Sequence, residues 1–390
     1  MSQFQTDLTQ GSVFGQLLKF SVPFLLSNLL QALYNMADMV IVGQFGGAVG
    51  ASAVGIGGQV TILIINLISG LAVGGTIMIA QFIGARRQQE VERTVGTMFT
   101  LYAIAGAAIT VIMLLINPWV LRLMQTPADC YGEALAYLNI CMGGTLFIVG
   151  YNAVSAVLRG MGDSRHPLIF VGVAAVVNIV LDLVFVGVFH MGAAGAAWAT
   201  ILSQGVSALL CLVYMLKKFP ILRTGRADWA WHGPMVRRLA RMGIPTALSN
   251  SVTAIGCMIL QVTINGFGST VVAAYTAASK VEQLTTQPTF TFGLAAATFT
   301  AQNAGAGKLD RVKDGVRKAT VLNLIAGLAA AVVVWLFAAP ITTWFVDPGE
   351  TAVIAASVQF LNIEAVFILA LGVLFVYRNA LQGLSNAVMP

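Results

Sequence analysis

From Met39 to Ala85 the chain runs 47 residues without one Asp, Glu, Lys or Arg, and Leu183–Leu216, Met242–Ser279 and Ala319–Val346 are three more such runs. Each can hold at least one helical span of about 20 residues across a hydrocarbon core of about 30 Å. In lipid the backbone must satisfy its own hydrogen bonds, so only helices or a closed barrel remain. Barrel strands are short and alternate in polarity, and these runs do neither. Composition agrees: 9% of the 390 residues are charged, against about 25% in a soluble domain. A mean hydropathy of +0.85 leaves too little polar surface for water. The chain reads as an all-α, multi-pass membrane protein.

Ten helices can be laid out at roughly 15–43, 50–79, 94–117, 134–158, 167–188, 193–216, 239–265, 270–300, 317–338 and 351–378. The connections 81–93, 159–166, 217–241 and 302–318 then carry 17 Lys and Arg, and the five opposite connections carry one, Arg122. By the positive-inside rule the 17 mark the cytoplasmic face, and the N-terminus lies there too. The expected location is the plasma membrane, or the inner membrane if the source has two. The formal charge of +6 then reports topology and attraction to the lipid bilayer, not nucleic acid. The opening MSQFQTDLTQGS lacks the basic region and cleavage site of a signal peptide, so the first helix should be retained.

Chemistry of other kinds finds little to build on. Cys130, Cys141, Cys211 and Cys257 have no metal-binding spacing and imply no disulfide framework. His166, His190 and His232 fall in separate places, no nucleophile–base pair is suggested, and no cofactor is expected. The glycine clusters at 55–58 and 70–75 lie inside apolar helices with no strand before them, so phosphate-loop readings fail. Small residues there let helices approach closely.

The chain repeats itself. FSVPFLLSNLL around Pro23 returns as MGIPTALSNSV around Pro245; AQFIGARRQQEV (80–91) returns as AQNAGAGKLDRV (301–312); QTP (125–127) returns as VDP (346–348); AVLRGMGDSRHP (156–167) returns as NALQGLSNAVMP (379–390). All four offsets lie between 221 and 223 residues. Six helices separate equivalent points, so the repeats share one orientation, related by an axis along the membrane normal, as in transporters whose halves rock about a site between them. The fold expected is two six-helix lobes, residues 1–216 and 239–390, joined by a basic linker at 217–238. Pro167 opens the fifth helix and its counterpart is Pro390, so the second lobe is expected to lack its last two helices and the chain to be a fragment.

Asp38, Asp182, Glu282 and Glu364 fall inside apolar helices. A charge at mid-bilayer costs about 2.5–3.5 kcal/mol on insertion scales, so each is a functional candidate. Asn28, Gln31, Asn35 and Asp38 are spaced 3, 4, 3 and share one face of the first helix. Asn178 and Asp182, four apart, share a face of the fifth, and Thr200 can return opposite them on the sixth. Two carboxylates, an amide and a hydroxyl would suit Na⁺. Two close carboxylates in low dielectric also hold a proton well. A structural polar knot is the alternative. Glu282, Gln283 and Gln287 precede Pro288 in the eighth helix, where a kink would expose polar backbone. With Tyr34 and Asn35 they are candidates for a substrate cavity. Asn66, Asn152 and Phe290 rank below them.

Several segments together resemble the multidrug and toxic compound extrusion (MATE) family: Asn35-Met36-Ala37-Asp38 after Pro23, Leu158-Arg159-Gly160-Met161-Gly162-Asp163, Asn178 with Asp182, Gly195-Ala196-Ala197-Trp198-Ala199-Thr200, and Leu381-Gln382-Gly383. The resemblance runs from about residue 14 to the end. It implies a V-shaped pair of bundles exchanging small amphipathic organic cations for Na⁺ or H⁺, without enzymatic activity. It places the ion-coupling residues at Asp38, Asn178, Asp182 and Thr200, which would also be the metal ligands if the ion is Na⁺. Some branches carry an acid in the seventh helix, where this chain has Asn250, Ser251 and Thr253.

The expected function is therefore secondary antiport by a monomer. A lipid-linked oligosaccharide flippase of the same superfamily is the nearest alternative. Its anionic cargo calls for a cavity ringed by Arg or Lys, and Lys280 is the one basic residue expected inside. A non-transporting scaffold or sensor would make the buried acids dispensable.

Overall fold

The computed structural model describes residues 7–218 and 232–386, which form helices joined by short turns, with no strand among them. Ser12 caps the first helix, α1 (Val13–Phe45), its hydroxyl accepting the Gly15 amide at 3.4 Å. The others are α2 (Gly47–Gly84), α3 (Gln88–Leu123), α4 (Ala128–Gly143), α5 (Thr145–Gly160), α6 (Arg165–Asp182), α7 (Gly192–Lys218), α8 (Gly233–Asn265), α9 (Ser269–Gly305), α10 (Leu309–Thr342) and α11 (Thr351–Gly383). The linker expected at 217–238 falls mostly outside the described residues.

Eight of these helices are long and apolar enough to cross a membrane, and the pair α4–α5, bent by 47°, makes a ninth. The fourth expected helix is thus broken at Gly143–Gly144, since paired glycines resist bending least. Helix α9 stands where the eighth expected helix falls but is not among these spans. Composition alone rejects it, because Lys280, Glu282, Gln283 and Gln287 dilute its apolar residues. Its 37 residues reach about 55 Å at 1.5 Å each. It hides much of its polarity against α10, α11 and α2, with Thr289, Thr291, Gln302 and Asn303 fully buried. Leu115, Leu336, Phe367 and Val262 are more than half exposed, on the outside of the bundle. Apolar surface on that scale belongs in lipid.

The repeat is realised as two pseudo-symmetric lobes that exchange their first helices. The early part of α1 (Leu17, Phe20, Phe24) packs with Phe292, Ala296 and Phe299 of α9, while its later part lies along α6. Reciprocally, Leu239 and Met242 of α8 enter the core formed by α2, α3 and α5. The lobes also cross through α2 and α9 at the end of the bundle that carries the basic loops. There Gln81 Nε2 donates to the Gly383 carbonyl at 2.8 Å, and Gln302 Nε2 to the Gly160 carbonyl at 3.3 Å. Each bond joins one lobe to the other, and each residue is the repeat counterpart of its opposite number. Leu8 completes this end: its amide donates to Gln302 Oε1 at 3.1 Å, and its carbonyl accepts from Asn303 and Arg311.

Candidate functional site

The packing of α1 against α6 brings Asp38 beside Asp182. Asp38 is 8% exposed, and Asn178 and Asp182 are at 0%. The two carboxyl groups lie close enough to interact, yet carboxylates have no donor to offer one another. Both oxygens of Asp182, both polar atoms of Asn178 and Oδ1 of Asp38 lack a hydrogen-bond partner. Native structures leave few buried polar atoms in that state, and here five gather in one place. Four of the five are oxygens, the donor type that suits a proton or a small hard cation, and the fifth is the Asn178 amide nitrogen. Helix α6 also changes pitch at this point, passing into a π-helical turn, Leu183–Val188, directly after Asp182. Turns of this kind recur at functional sites because they re-aim one side chain. Thr200 stands half-buried on the neighbouring α7.

Between the lobes lies a cavity of about 470 Å³, within the roughly 300–1,000 Å³ of small-molecule sites. Its walls repeat with the chain: Asn28 and Asn250, Gln31 and Thr253, Ser69 and Phe290, and Arg159 and Gln382 are counterpart pairs, and both members of each line it. Phe24, Ile65, Leu294 and Phe375 supply apolar surface, Asn66 and Asn152 further amides, and Arg378 a second guanidinium. No Asp or Glu is among the lining residues.

A polar path joins the two places. Gln31 lines the cavity and interacts with Tyr34 one turn on. Tyr34 accepts a hydrogen bond from Gln204 Nε2 of α7 at 3.0 Å and lies within electrostatic range of Asp38. Toward the basic end, Asn28 Nδ2 donates to Thr291 Oγ1 of α9 at 2.9 Å. Helix α1 therefore touches the acid pair, the cavity and the opposite lobe in turn.

Asp38, Asn178 and Asp182 thus come together, with Thr200 on the adjoining helix. The cavity candidates fall elsewhere: Tyr34, Asn35, Glu282, Gln283 and Gln287 are outside the lining, whereas Asn66, Asn152 and Phe290 are in it. Glu282 and Glu364 are half-buried on α9 and α11, close enough to repel each other. Lys280 is not the cavity's basic residue. Arg159, which the loop count places at the membrane surface, lies in the last turn of α5 and faces the cavity, and Arg378 faces it from α11. The repeat held a signal for both sides of this wall, since Asn28 and Arg159 have polar counterparts in Asn250 and Gln382.

Two pseudo-symmetric helical lobes around a shared cavity are the architecture of membrane transporters whose halves rock about a central site. The family model described as MatE matches residues 23–184 and 245–390, one segment in each repeat. The chain belongs to that family of multidrug efflux transporters. It is 31% identical over 380 residues to the probable multidrug resistance protein YpnP of Bacillus subtilis, covering 96% of this chain and 84% of that one. It is 27% identical over 381 residues to the probable multidrug resistance protein NorM of Thermotoga maritima, covering 96% and 81%. A solved structure of a multidrug resistance MATE family transporter of the MOP superfamily, in an outward-facing conformation, superposes with a TM-score of 0.93 at 25% identity over 99% of this chain and 86% of that one.

Proposed function

We propose that the chain is a secondary antiporter that exports small amphipathic organic molecules in exchange for Na⁺ or H⁺. The ion binds at Asp38, Asn178, Asp182 and Thr200, and the cargo in the cavity between the lobes. The observation that carries this reading is the set of five unpartnered buried polar atoms at Asp38, Asn178 and Asp182, on and beside α1, which also lines the cavity through Asn28 and Gln31. Ion entry satisfies the oxygens among them and repacks α1 against α6. Because α1 also presents Asn28 and Gln31 to the cargo, the repacking changes the grip on it. Coupling is reciprocal, so cargo must weaken ion binding by the same factor.

In the same reading the lobes comprise residues 1–216 and 239–390, and the protein works as a monomer in the plasma membrane, or the inner membrane where there are two. The N-terminus and basic end are cytoplasmic, with the α2–α9 crossing closing that side. Tyr34 and Asn35 serve the cavity indirectly, continuing the polar face of α1 toward Asp38. Glu282, Gln283 and Gln287 border its approach from the second lobe. The organic cation implied by resemblance would find no carboxylate in the lining.

The test is efflux from proteoliposomes under separate Na⁺ and pH gradients, for the parent protein, Asp38→Asn and Asp182→Asn. Loss of gradient-driven efflux in both variants is expected, and the gradient that drives the parent names the ion. Unchanged driven efflux in both variants overturns the ion site.

A further inference from the structure

We infer that the central cavity binds an anion, an amphipathic carboxylate, sulfonate or phosphate ester whose acidic group lies between Arg159 and Arg378. The inference rests on the cavity being the cargo site of the transporter proposed above. A guanidinium cannot shed its proton at any ordinary pH, and in a membrane interior an ionisable side chain normally has a partner. Arg159 has no hydrogen bond or carboxylate partner among the described residues. Its neighbours include the Phe24 ring, 5.2 Å from the guanidinium carbon, and Tyr102, Tyr151 and Cys211. Arg378 uses Nη2 to reach Ser249 Oγ at 2.9 Å and Asn250 Oδ1 at 3.2 Å. Its Nη1 and Nε have no described partner.

The two arginines enter one cavity from different lobes. The ion pairs among the described residues are His166–Asp163, Lys313–Asp310 and Lys318–Asp314, none of them in its wall. The acids of the bundle lie outside the lining, so the site's own charge is positive. The amides of Asn28 and Asn152 each give one hydrogen, to Thr291 Oγ1 and the Ile148 carbonyl respectively, and keep a second for an oxygen of the anion, and Phe24 and Phe375 receive an apolar body. An organic cation in this space would meet two like charges and no counter-charge. A bidentate guanidinium matches the planar, two-oxygen face of an acid.

The experiment compares two probes with the same apolar body and opposite charge, 2-naphthalenesulfonate and 2-naphthyltrimethylammonium. Binding is measured calorimetrically to the full chain in phosphatidylcholine nanodiscs without any ion gradient, so it succeeds or fails separately from antiport. The sulfonate is expected to bind at least about ten-fold more tightly than the ammonium, as a charge-assisted pair requires. Arg159→Gln and Arg378→Gln should each remove about ten-fold of the sulfonate affinity and leave the ammonium little changed. Arg159→Lys should keep part of it. Discs containing phosphatidylglycerol separate the sources: competition with the sulfonate assigns the anion to a lipid headgroup, and no competition to a free solute. Equal or tighter ammonium binding, binding of neither probe, or full sulfonate affinity in both glutamine variants would overturn the inference. The comparison of probes on the parent protein decides it even if a variant does not fold.

Discussion

Gly84 of α2 and Gly305 of α9, repeat counterparts 221 residues apart, occupy reciprocal places at one helix crossing: a Cβ on Gly84 would overlap the Gln302 carbonyl, and one on Gly305 the Gln81 carbonyl. Backbones can come this close only where both helices offer glycine. The same crossing carries the two glutamine bonds between the lobes, so the lobes are held most tightly at the basic end.

Gly84→Val should therefore hold that end apart. Overpacking of this kind costs about 1–3 kcal/mol, charged almost wholly to the closed arrangement. The expected result is faster labelling, from the basic side, of a cysteine placed in the cavity wall by Ser69→Cys. Gly58→Val on the same helix is the control, since a Cβ there meets nothing within 4 Å, and it should leave labelling unchanged.

The two glutamines should differ in cost. Gln302 is fully buried and serves both the Leu8 amide and the Gly160 carbonyl, so Gln302→Ala strands two buried groups, at about 1–3 kcal/mol for such losses. Gln81 is partly exposed and shares its work with Ser385. Gln81→Ala should cost about 1 kcal/mol or less. Thermal unfolding of the purified protein checks the order, and equal losses would refute it.

Tyr34→Phe removes the hydroxyl between Gln31, Gln204 and Asp38 without touching the cavity wall. Cargo affinity in the absence of ion should stay within about two-fold, while the change in affinity on adding ion shrinks several-fold, from a coupling typically worth about 1–3 kcal/mol. Cargo titrations with and without saturating ion give both numbers. An unaltered ratio would place the coupling path elsewhere.

Membrane potential separates the charges of cargo. Export of an anion with uptake of a cation moves two positive charges inward per cycle, each worth about 2.3 kcal/mol per 100 mV. An inside-negative potential set by valinomycin and K⁺ should then accelerate naphthalenesulfonate efflux. One-for-one exchange of a monovalent organic cation would not respond.

The sequence by itself determined what short-range chemistry determines. Charge-free runs forced helices in lipid, loop arginines and lysines set their alternation, and the repeat required two like lobes. It also brought Asp38, Asn178 and Asp182 forward, because a carboxylate in an apolar run is costly wherever the run packs, and i, i+4 spacing puts Asn178 and Asp182 on one face before any tertiary contact forms. Which helix face turns inward was another matter. Arg159 reads as a loop residue in the sequence, one position before a glycine, and becomes a cavity wall only because α5 extends through it and packs against α2. Tyr34 and Asn35 continue the same polar stripe as Asn28 and Gln31, yet only the latter two face the cavity, since α1 leaves one lobe for the other along its length. Helix crossings, and with them the sign of charge facing the cavity, are set by contacts between residues more than 200 positions apart, which no local spacing encodes.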